Sequence, residues 1–375
     1  MTSYIIDQET EVSSEESQVN YSESSLMDTS SHNNYIEKAY YFEEIDKLVL
    51  FEQGMKVIKT YSGKTLKKLT EYTCYGCILE IEYIHERYVL AISLSDRGLL
   101  FLDIHNPGGK NSEKKILTPD SHHCLEYVKS KRTLFSAGLS GAIYGWNLEL
   151  IFSNDYKHLF QKPNAVKYKD LLLSGTPWFQ KTTIMDIIFI EEFNLLATAS
   201  ADKLIRLWDI RNIEEKEMKD PNKTLAAHEK AVRMLTFSKK FKVLVSCGFD
   251  FDVIVWNPFS ETPIERLKGH EAPLVGVCCP VNTTNIVSCD NKGVIKIWNL
   301  RDYSCLQNIY VTNALVITSM VSVPLHRKII VTSRTLHIYE YNKPFAPEVS
   351  NDTPITAAIF NTLRFEFFIA GRRFF

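Results

Sequence analysis

The sequence lacks the features that direct a chain into a membrane or onto nucleic acid. No apolar run approaches the roughly 18–20 residues that a membrane-spanning helix needs, and no apolar segment follows a basic one near the N-terminus, as it would in a signal peptide. The formal net charge is only −2, so no basic field would draw the chain to nucleic acid or to anionic lipid. We therefore expect a cytoplasmic protein that binds neither membranes nor nucleic acid.

The cysteines and the few reactive motifs do not combine into a metal site or a catalytic site. The cysteines are scattered, and the one Cys-x-x-Cys pair, Cys74 and Cys77, is not followed by a second pair at zinc-site spacing. Residues 62–65 (SGKT) resemble the end of a phosphate-binding loop, but Ile58 stands where that loop needs its first glycine. The sequence thus predicts no metal, no cofactor, no small-molecule substrate and no enzymatic activity.

Two parts of the chain differ in composition. Residues 1–34 are rich in Ser and Glu and have no periodic apolar face, which predicts a disordered acidic tail because such a segment cannot offset the entropy of ordering. From residue 35 onward, short runs of β-branched and aromatic residues alternate with turns, and no long helical period interrupts them. The predicted fold class of residues 35–375 is therefore all-β.

The strands repeat along the chain. A Trp, or a residue in its place, closes an equivalent strand about every forty residues, and each period holds four short strands, which is typical of a β-propeller blade. The series predicts about seven blades, with a loop insertion at 149–182. Residues 353–375 look like the first two strands of an eighth, incomplete repeat, so that the chain is either a fragment or an open ring completed by these strands. The closing residues are Tyr61, Leu102, Trp146, Trp208, Trp256, Trp298 and Tyr339.

Residues 35–375 resemble the WD-repeat (Trp-Asp) β-propeller family, most clearly where LIRLWDI, VIVWNP and VIKIWNL end at 210, 258 and 300. In that family a His, a Ser or Thr, an Asp in a turn and the Trp form a hydrogen-bonded set. Lys292 occupies the Asp position of the sixth repeat, and the fourth repeat has no His. The resemblance implies structural sets made of His228, Ser246, Asp250 and Trp256 in the fifth repeat, of His270, Ser288 and Trp298 in the sixth, and of Thr198, Asp202 and Trp208 in the fourth.

The chemistry of such a set explains why a strand would end in Trp shortly after an Asp. The Asp can accept bonds from turn N–H groups and from an imidazole, which connects to a hydroxyl and to the indole N–H. Each bond contributes about 1 kcal/mol net, but a buried group left without its partner costs about 1–3 kcal/mol. We therefore interpret His228 and His270 as structural residues rather than general bases.

The resemblance also implies where partners bind, because propellers of this family usually bind proteins on the narrow face around the central channel. The residues at those positions are mostly apolar and include one Arg, a composition that suits a protein-binding hot spot. We therefore predict a scaffold within a larger intracellular assembly. The predicted interface residues are Thr183, Met185, Ala231, Arg233, Phe249, Pro273 and Val275.

Two narrower resemblances give further expectations. Residues 208–211 resemble the Trp-Asp-x-Arg box of propellers that present substrates to cullin-based ubiquitin ligases, which implies that Arg211 contacts an adaptor. This substrate-receptor function is the alternative to a scaffold. The repeats also look like those of long EF-hand and WD-repeat proteins of motile cilia and protists, which implies a location at the cilium or cytoskeleton, although the EF-hand part is absent here.

Overall fold

The computed structural model describes residues 34–105, 113–153, 171–173, 177–180, 182–211, 220–281, 283–311 and 316–341, together with the backbone of three strands at 21–27, 355–361 and 366–371. The chain divides into a large unit, Ser22–Glu340, and a second unit that includes Tyr341–Phe375. Within the described residues, no helix has the length and apolar content needed to cross a membrane.

The large unit is a ring of seven four-stranded antiparallel sheets, and this confirms the predicted all-β propeller of about seven blades. Blade 1 contains β2 (Ile36–Phe42), β3 (Lys47–Glu52), β4 (Val57–Ser62) and β5 (Lys68–Thr73). Blade 2 contains β6 (Ile78–Ile84), β7 (Val89–Leu94), β8 (Gly98–Asp103) and β9 (Glu113–Leu117). Blade 3 contains β10 (His122–Val128), β11 (Thr133–Gly138), β12 (Ala142–Asn147) and β13 (Trp178–Phe179), with the helix α1 (Leu148–Phe152) after β12.

The next three blades repeat this order. Blade 4 contains β14 (Ile184–Ile190), β15 (Leu195–Ser200), β16 (Leu204–Asp209) and β17 (Lys223–Ala226). Blade 5 contains β18 (Val232–Ser238), β19 (Val243–Gly248), β20 (Val253–Trp256) and β21 (Pro263–Leu267). Blade 6 contains β22 (Leu274–Cys278), β23 (Asn285–Asp290), β24 (Val294–Asn299) and β25 (Cys305–Tyr310).

Blade 7 takes its outer strand from the beginning of the chain. Its strands are β26 (Ser319–Val323), β27 (Lys328–Thr332) and β28 (Leu336–Tyr341), and β1 (Tyr21–Met27) pairs with β28. The prediction of a disordered tail over residues 1–34 is therefore wrong for residues 21–27. Backbone groups of β28 provide the pairing that a Ser- and Glu-rich segment cannot obtain by burying its own side chains. Residues 1–20 and 28–33 lie outside the described residues.

Blades 7 and 1 also meet at the inner wall of the ring. The Ile36 N–H donates to the carbonyl oxygen of Ser333 at 2.9 Å, and the Ala39 N–H donates to the hydroxyl of Ser319 at 3.3 Å. Leu48 of blade 1 and Ile330 of blade 7 share one buried cluster. The ring is therefore closed by backbone bonds, side-chain packing and the outer strand β1.

Similar clusters fill the spaces between the other blades because a single sheet cannot bury both of its faces. Between blades 4 and 5, for example, Ile205 and Leu207 pack with Leu235 and Trp256, and the Trp256 side chain is completely buried. The first strands of neighbouring blades adjoin one another. In blades 1 to 6 the register shifts just after the first residue of this strand, as between Ile184 and Asp186.

The predicted loop insertion at 149–182 contains more regular structure than a loop. The side chain of Asn147 caps α1 by accepting from the N–H groups of Glu149 and Leu150. Trp178 lies in β13, the outer strand of blade 3, and is 4 % exposed. The prediction of an insertion throughout is thus wrong for these residues, whereas 154–170, 174–176 and 181 lie outside the described part.

Within the described residues, the second unit contains one hairpin. Its strands are β29 (Ile355–Asn361) and β30 (Glu366–Gly371), which form a two-stranded antiparallel sheet. The register shifts between Ile355 and Ala357, as it does between the first two strands of blades 1 to 6. The hairpin thus has the register pattern with which a propeller repeat begins.

Candidate functional site

The fifth blade contains a continuous chain of hydrogen bonds from a turn to a core indole. Asp250 Oδ2 lies 2.8 Å from His228 Nδ1, and His228 Nε2 lies 2.7 Å from the hydroxyl of Ser246. The Trp256 indole N–H donates to the same hydroxyl at 2.8 Å. Burial opposes ionisation of Asp250, but the bonds from His228 and from the Glu229 N–H nevertheless lower the pKa of Asp250. The structure therefore brings these four side chains together around one ionised carboxylate.

The sixth blade builds the same chain with an Asp that the sequence pattern did not indicate. His270 Nδ1 lies 2.9 Å from Asp290 Oδ2, its Nε2 lies 2.8 Å from the Ser288 hydroxyl, and Trp298 donates to that hydroxyl at 2.9 Å. Asp290 ends β23, two residues before Lys292, the expected Asp position. The interpretation that this blade lacks its Asp is therefore wrong, because an Asp at the last position of the second strand also reaches the imidazole.

In the fourth blade a glutamine stands where the other two have a histidine. Trp208 donates to the Thr198 hydroxyl at 3.2 Å, and that hydroxyl lies 3.1 Å from Gln180 Oε1. Asp202 instead forms an ion pair with Arg206, with 2.6 Å between Oδ2 and Nη2. Gln180 precedes β14 by four residues, as His228 precedes β18 and His270 precedes β22, so its offset was the available signal and only its residue type departs from the pattern.

The Asp–His–Ser sets of blades 5 and 6 have the connectivity of a hydrolase triad but not its accessibility. The Ser246 and Ser288 side chains are completely buried. Each hydroxyl also accepts from a Trp indole, so it lies inside the blade rather than facing a cleft. A serine nucleophile must reach the reacting carbonyl. This arrangement can rigidify a blade, and it offers no substrate a reactive hydroxyl.

The inner wall of the ring has a cluster of acidic side chains that the sequence analysis did not single out. Glu80 contacts the Lys38 ammonium and the Tyr40 hydroxyl. Glu126 accepts from the Phe189 N–H at 2.9 Å, and burial raises its pKa to about 8. Within the described residues, no group of three or more His, Cys, Asp or Glu side chains has an arrangement suited to a metal ion. The sequence did contain a signal for this cluster, because Glu80 and Glu82 alternate with apolar residues along β6.

Burial also raises the pKa of Asp186, to about 7, in the same wall. Its Oδ2 accepts from the Leu235 N–H of the next blade at 2.7 Å. Together with the bond between Glu126 and Phe189, this contact links first strands of neighbouring blades. The acidic side chains thus connect blades 3, 4 and 5 along the inner wall.

The predicted interface residues lie together at one end of the first strands in blades 4, 5 and 6. The same backbone bond recurs there: the carbonyl oxygens of Thr183, Ala231 and Pro273 accept from the N–H groups of Ala201, Phe249 and Asn291, each at 3.0 Å. Arg233 Nε donates to the Val275 carbonyl oxygen at a long 3.4 Å. All seven predicted residues, Met185 included, are half-buried.

Arg211 lies at the opposite end of blade 4. It follows β16, whose last residue is Asp209. Asp209 pairs with Leu195, which begins β15 just after the turn at the far end of β14. The Arg211 guanidinium spans both oxygens of Asp209, and 68 % of its side chain is exposed. The predicted adaptor contact and the predicted interface therefore occupy different ends of the ring.

Comparisons with known proteins agree with this architecture. A sequence model described as "WD domain, G-beta repeat" matches residues 173–209, 219–257 and 261–299. The crystal structure of the WD40 β-propeller domain of Doa1 superposes with a TM-score of 0.65 over 87 % of this chain and 98 % of that chain, at 18 % identity. The fold is therefore a seven-bladed β-propeller, and three segments of the chain match the WD-repeat model.

Among curated proteins, the chain is similar to cilia- and flagella-associated protein 337 B of Tetrahymena thermophila, with 23 % identity over 86 % of this chain and 28 % of the relative. Nuclear distribution protein nudF of Aspergillus niger is 28 % identical over 33 % of this chain and 27 % of that protein. The mouse kinesin-like protein KIF21B is 32 % identical over 28 % of this chain and 6 % of that protein. The chain thus spans little more than a quarter of the length of the Tetrahymena protein, which matches most of this chain.

Proposed function

We propose that this propeller is a non-enzymatic scaffold that binds other proteins within a larger intracellular assembly at the cilium or cytoskeleton. The observation that carries the proposal is the recurring backbone bond that fixes the half-buried interface residues of blades 4 to 6 on rigid strands. A rigid presentation lowers the entropy lost when a partner binds. Three relatives, named for cilia and flagella, nuclear distribution and kinesin, support the cytoskeletal setting. We propose proteins as its partners, rather than nucleic acid, a membrane or a small molecule.

The centre of this interface is proposed to be Arg233 with Phe249 in blade 5. The Phe249 N–H donates to the carbonyl oxygen of Ala231 at 3.0 Å. Blade 5 also has the complete hydrogen-bonded set around His228. Arg233 uses one of its five N–H donors for the long bond to Val275. This bond orients the guanidinium and leaves other N–H donors for a partner. Arg and aromatic side chains are enriched among residues that dominate binding energies.

The ubiquitin-ligase substrate receptor is the alternative function, and one observation favours it. Asp209 holds the exposed guanidinium of Arg211 with two-pronged geometry, which would present it to an adaptor in a defined orientation. Residues 298–301 do not reproduce this pair, because Asn299 stands in place of the Asp.

Affinity purification of tagged wild-type protein and of two variants separates the two functions. For a scaffold that binds at the inner end, Arg233→Ala with Phe249→Ala removes the main protein partner, while Arg211→Ala retains it. For a ligase receptor, Arg211→Ala removes a cullin adaptor that co-purifies with wild type. Melting temperatures close to wild type establish that both variants are folded. A partner set unchanged in the double variant contradicts the proposed interface.

A further inference from the structure

A cavity of about 460 Å³ opens between blades 4 and 5, at the end of the ring where Arg211 lies. Its walls include Phe193 and Leu207 of blade 4 and Pro258 and Phe259 of blade 5, and Arg211 and Lys223 stand at its rim. Cavities that bind small molecules or side chains are typically of roughly this size, ~300–1,000 Å³, and have mostly apolar walls with a few polar groups. The space is ample for one or two large apolar side chains.

The aromatic wall of the cavity is exposed and rigid at the same time. Phe259 is 59 % exposed, and its ring meets the ring of Phe193 edge-on, with 4.6 Å between centroids. Asn257 fixes the loop, because its side chain accepts from the Phe259 N–H at 2.9 Å and its carbonyl oxygen accepts from the Ser260 N–H at 3.0 Å. These bonds hold the backbone at Phe259, and its ring packs on Phe193, so a partner that covers the ring gains apolar contact at little entropic cost.

The lining of the cavity contains two cations, Arg211 and Lys223, and two carboxylates, Asp209 and Glu192, and Lys131 of blade 3 adds a third cation beside Arg211. Asp209 is engaged on both oxygens by Arg211. The ammonium of Lys223 donates to the carbonyl oxygen of Phe259, and that of Lys131, from blade 3, donates to the carbonyl oxygen of Arg211 at 2.8 Å. Neither ammonium group bonds to a carboxylate in these contacts, and with Glu192 in the lining the three cations exceed the two carboxylates by one.

Outside the lining, Glu191 is paired with Lys239 at 3.8 Å. These charges favour a ligand that is negative around an apolar centre.

A second cavity, of about 310 Å³ between blades 2 and 3, has a different charge balance. There Arg132 contacts Glu149 at 2.5 Å and Glu86 at 3.9 Å, and Arg87 also lines the cavity, so its two cations are balanced by two carboxylates. This cavity offers a similar position on the ring without a surplus of positive charge, and Arg132 provides a matched control for substitutions at the first cavity.

We propose that the cavity between blades 4 and 5 binds a short acidic segment of a partner protein through a leucine or phenylalanine. The apolar side chain packs against Phe193 and Phe259, and flanking carboxylates contact Lys131, Lys223 and the outer N–H groups of Arg211. The inference deepens the proposed scaffold function, on which it rests, by adding a peptide site at the end of the ring away from Arg233 and Phe249.

Fluorescence anisotropy with three labelled peptides tests this site. The first peptide is Glu-Glu-Asp-Leu-Phe-Glu-Glu, the second has Gly-Ser in place of Leu-Phe, and the third has Lys in place of every acidic residue. We expect wild-type protein to bind the first peptide at least about tenfold more tightly than either of the others, and to lose affinity as salt is added. Equal binding of the three peptides, or no binding of the first by folded protein, overturns the proposal.

Substitutions place the binding in this cavity. Phe259→Ala and Lys223→Glu should each weaken binding of the first peptide about tenfold, whereas Glu192→Gln should strengthen it, because it removes the opposing charge. The matched controls, Leu325→Ala at an exposed turn of blade 7 and Arg132→Glu at the second cavity, should leave it unchanged. Wild-type affinity in both Phe259→Ala and Lys223→Glu overturns the assignment to this site.

The double variant of Arg233 and Phe249 distinguishes this inference from the proposed function. It should bind the first peptide as wild type does, since its substitutions lie at the other end of the ring. Loss of its cellular partner with peptide binding retained supports both ideas. Retention of that partner contradicts only the interface of the proposed function.

Discussion

His270 Nδ1 lies 2.9 Å from Asp290 Oδ2, and this contact completes in blade 6 the set that His228 and Asp250 form in blade 5. Asp290 also accepts from the N–H groups of Lys292 at 3.0 Å and Val294 at 2.9 Å. It is 1 % exposed. One carboxylate therefore fixes the turn between β23 and β24 and orients the imidazole.

We expect Asp290→Ala to destabilise the protein by about 2–4 kcal/mol, because hydrogen bonds to a charged group contribute about 1.5–3 kcal/mol and the buried imidazole loses its partner. Lys292→Ala, two residues away and exposed, should change the free energy of unfolding by less than about 0.5 kcal/mol. Urea denaturation of the two variants measures the difference. Similar losses would mean that Asp290 is not the residue on which the sixth set depends.

Trp178→Ala should destabilise the fold about as much as Trp256→Ala, each by about 3–5 kcal/mol, because both indoles are buried aromatic side chains. Trp178 stacks on Trp208 with 5.9 Å between ring centroids. The adjacent residue Phe179 is 63 % exposed, so Phe179→Ala is a control with little expected effect. Thermal unfolding compares the three variants, and a Trp178→Ala protein as stable as the Phe179 control would contradict the packing.

Removal of residues 1–27 should lower the melting temperature by several degrees more than removal of residues 1–20, because the longer deletion eliminates β1 and leaves β28 at the edge of blade 7. The composition of residues 1–20 offers no apolar core, so the shorter deletion should have little effect. Scanning calorimetry of both truncations measures the difference. Equal melting temperatures would show that β1 does not contribute to ring closure.

Stability should fall as the pH rises through the neutral range, because Glu126 and Asp186 have raised pKa values in the folded protein. The pKa of Glu126 rises from its ordinary value near 4.5 to about 8, and that of Asp186 from 3.8 to about 7. A group with a raised folded pKa stabilises the fold fully below its unfolded pKa, and this contribution is lost as pH rises through the folded value. Glu82, also with a raised pKa, adds to the same trend.

Glu126→Gln should therefore flatten the decline in melting temperature between about pH 5 and 9, since the amide stays neutral and its oxygen can still accept from the Phe189 N–H. Glu265→Gln, at an exposed position of β21, is the matched control and should decline like wild type. Melting temperatures across this pH range decide the matter. A Glu126→Gln profile parallel to wild type would contradict the role of burial at this carboxyl.

Much of the fold follows from local patterns that survive in the sequence. Trp208, Trp256 and Trp298 recur with a blade's period because each must fill the same space between sheets, so repetition alone predicts the number and order of blades. Ser246 and Ser288 were identifiable for the same reason: they stand at one register position relative to those indoles.

Other features of the fold depend on contacts between segments that are distant in sequence, and only the tertiary structure shows them. β1 joins blade 7 through backbone pairing, for which a Ser- and Glu-rich segment has no apolar signature. Asp290 takes up the role that the pattern assigns to position 292, because a side chain acts through the atoms it reaches and not through its offset along the chain. Gln180 keeps the offset of the histidines but replaces their residue type, so its contact with Thr198 is visible only in the structure.

The cavity beside Phe259 exists because loops of two successive blades meet there. Local periodicity determined the blades, since each buries side chains in the same way. Ring closure and the binding surfaces were decided by the tertiary structure, because they form between segments that are distant in sequence and have no local pattern that indicates their contact.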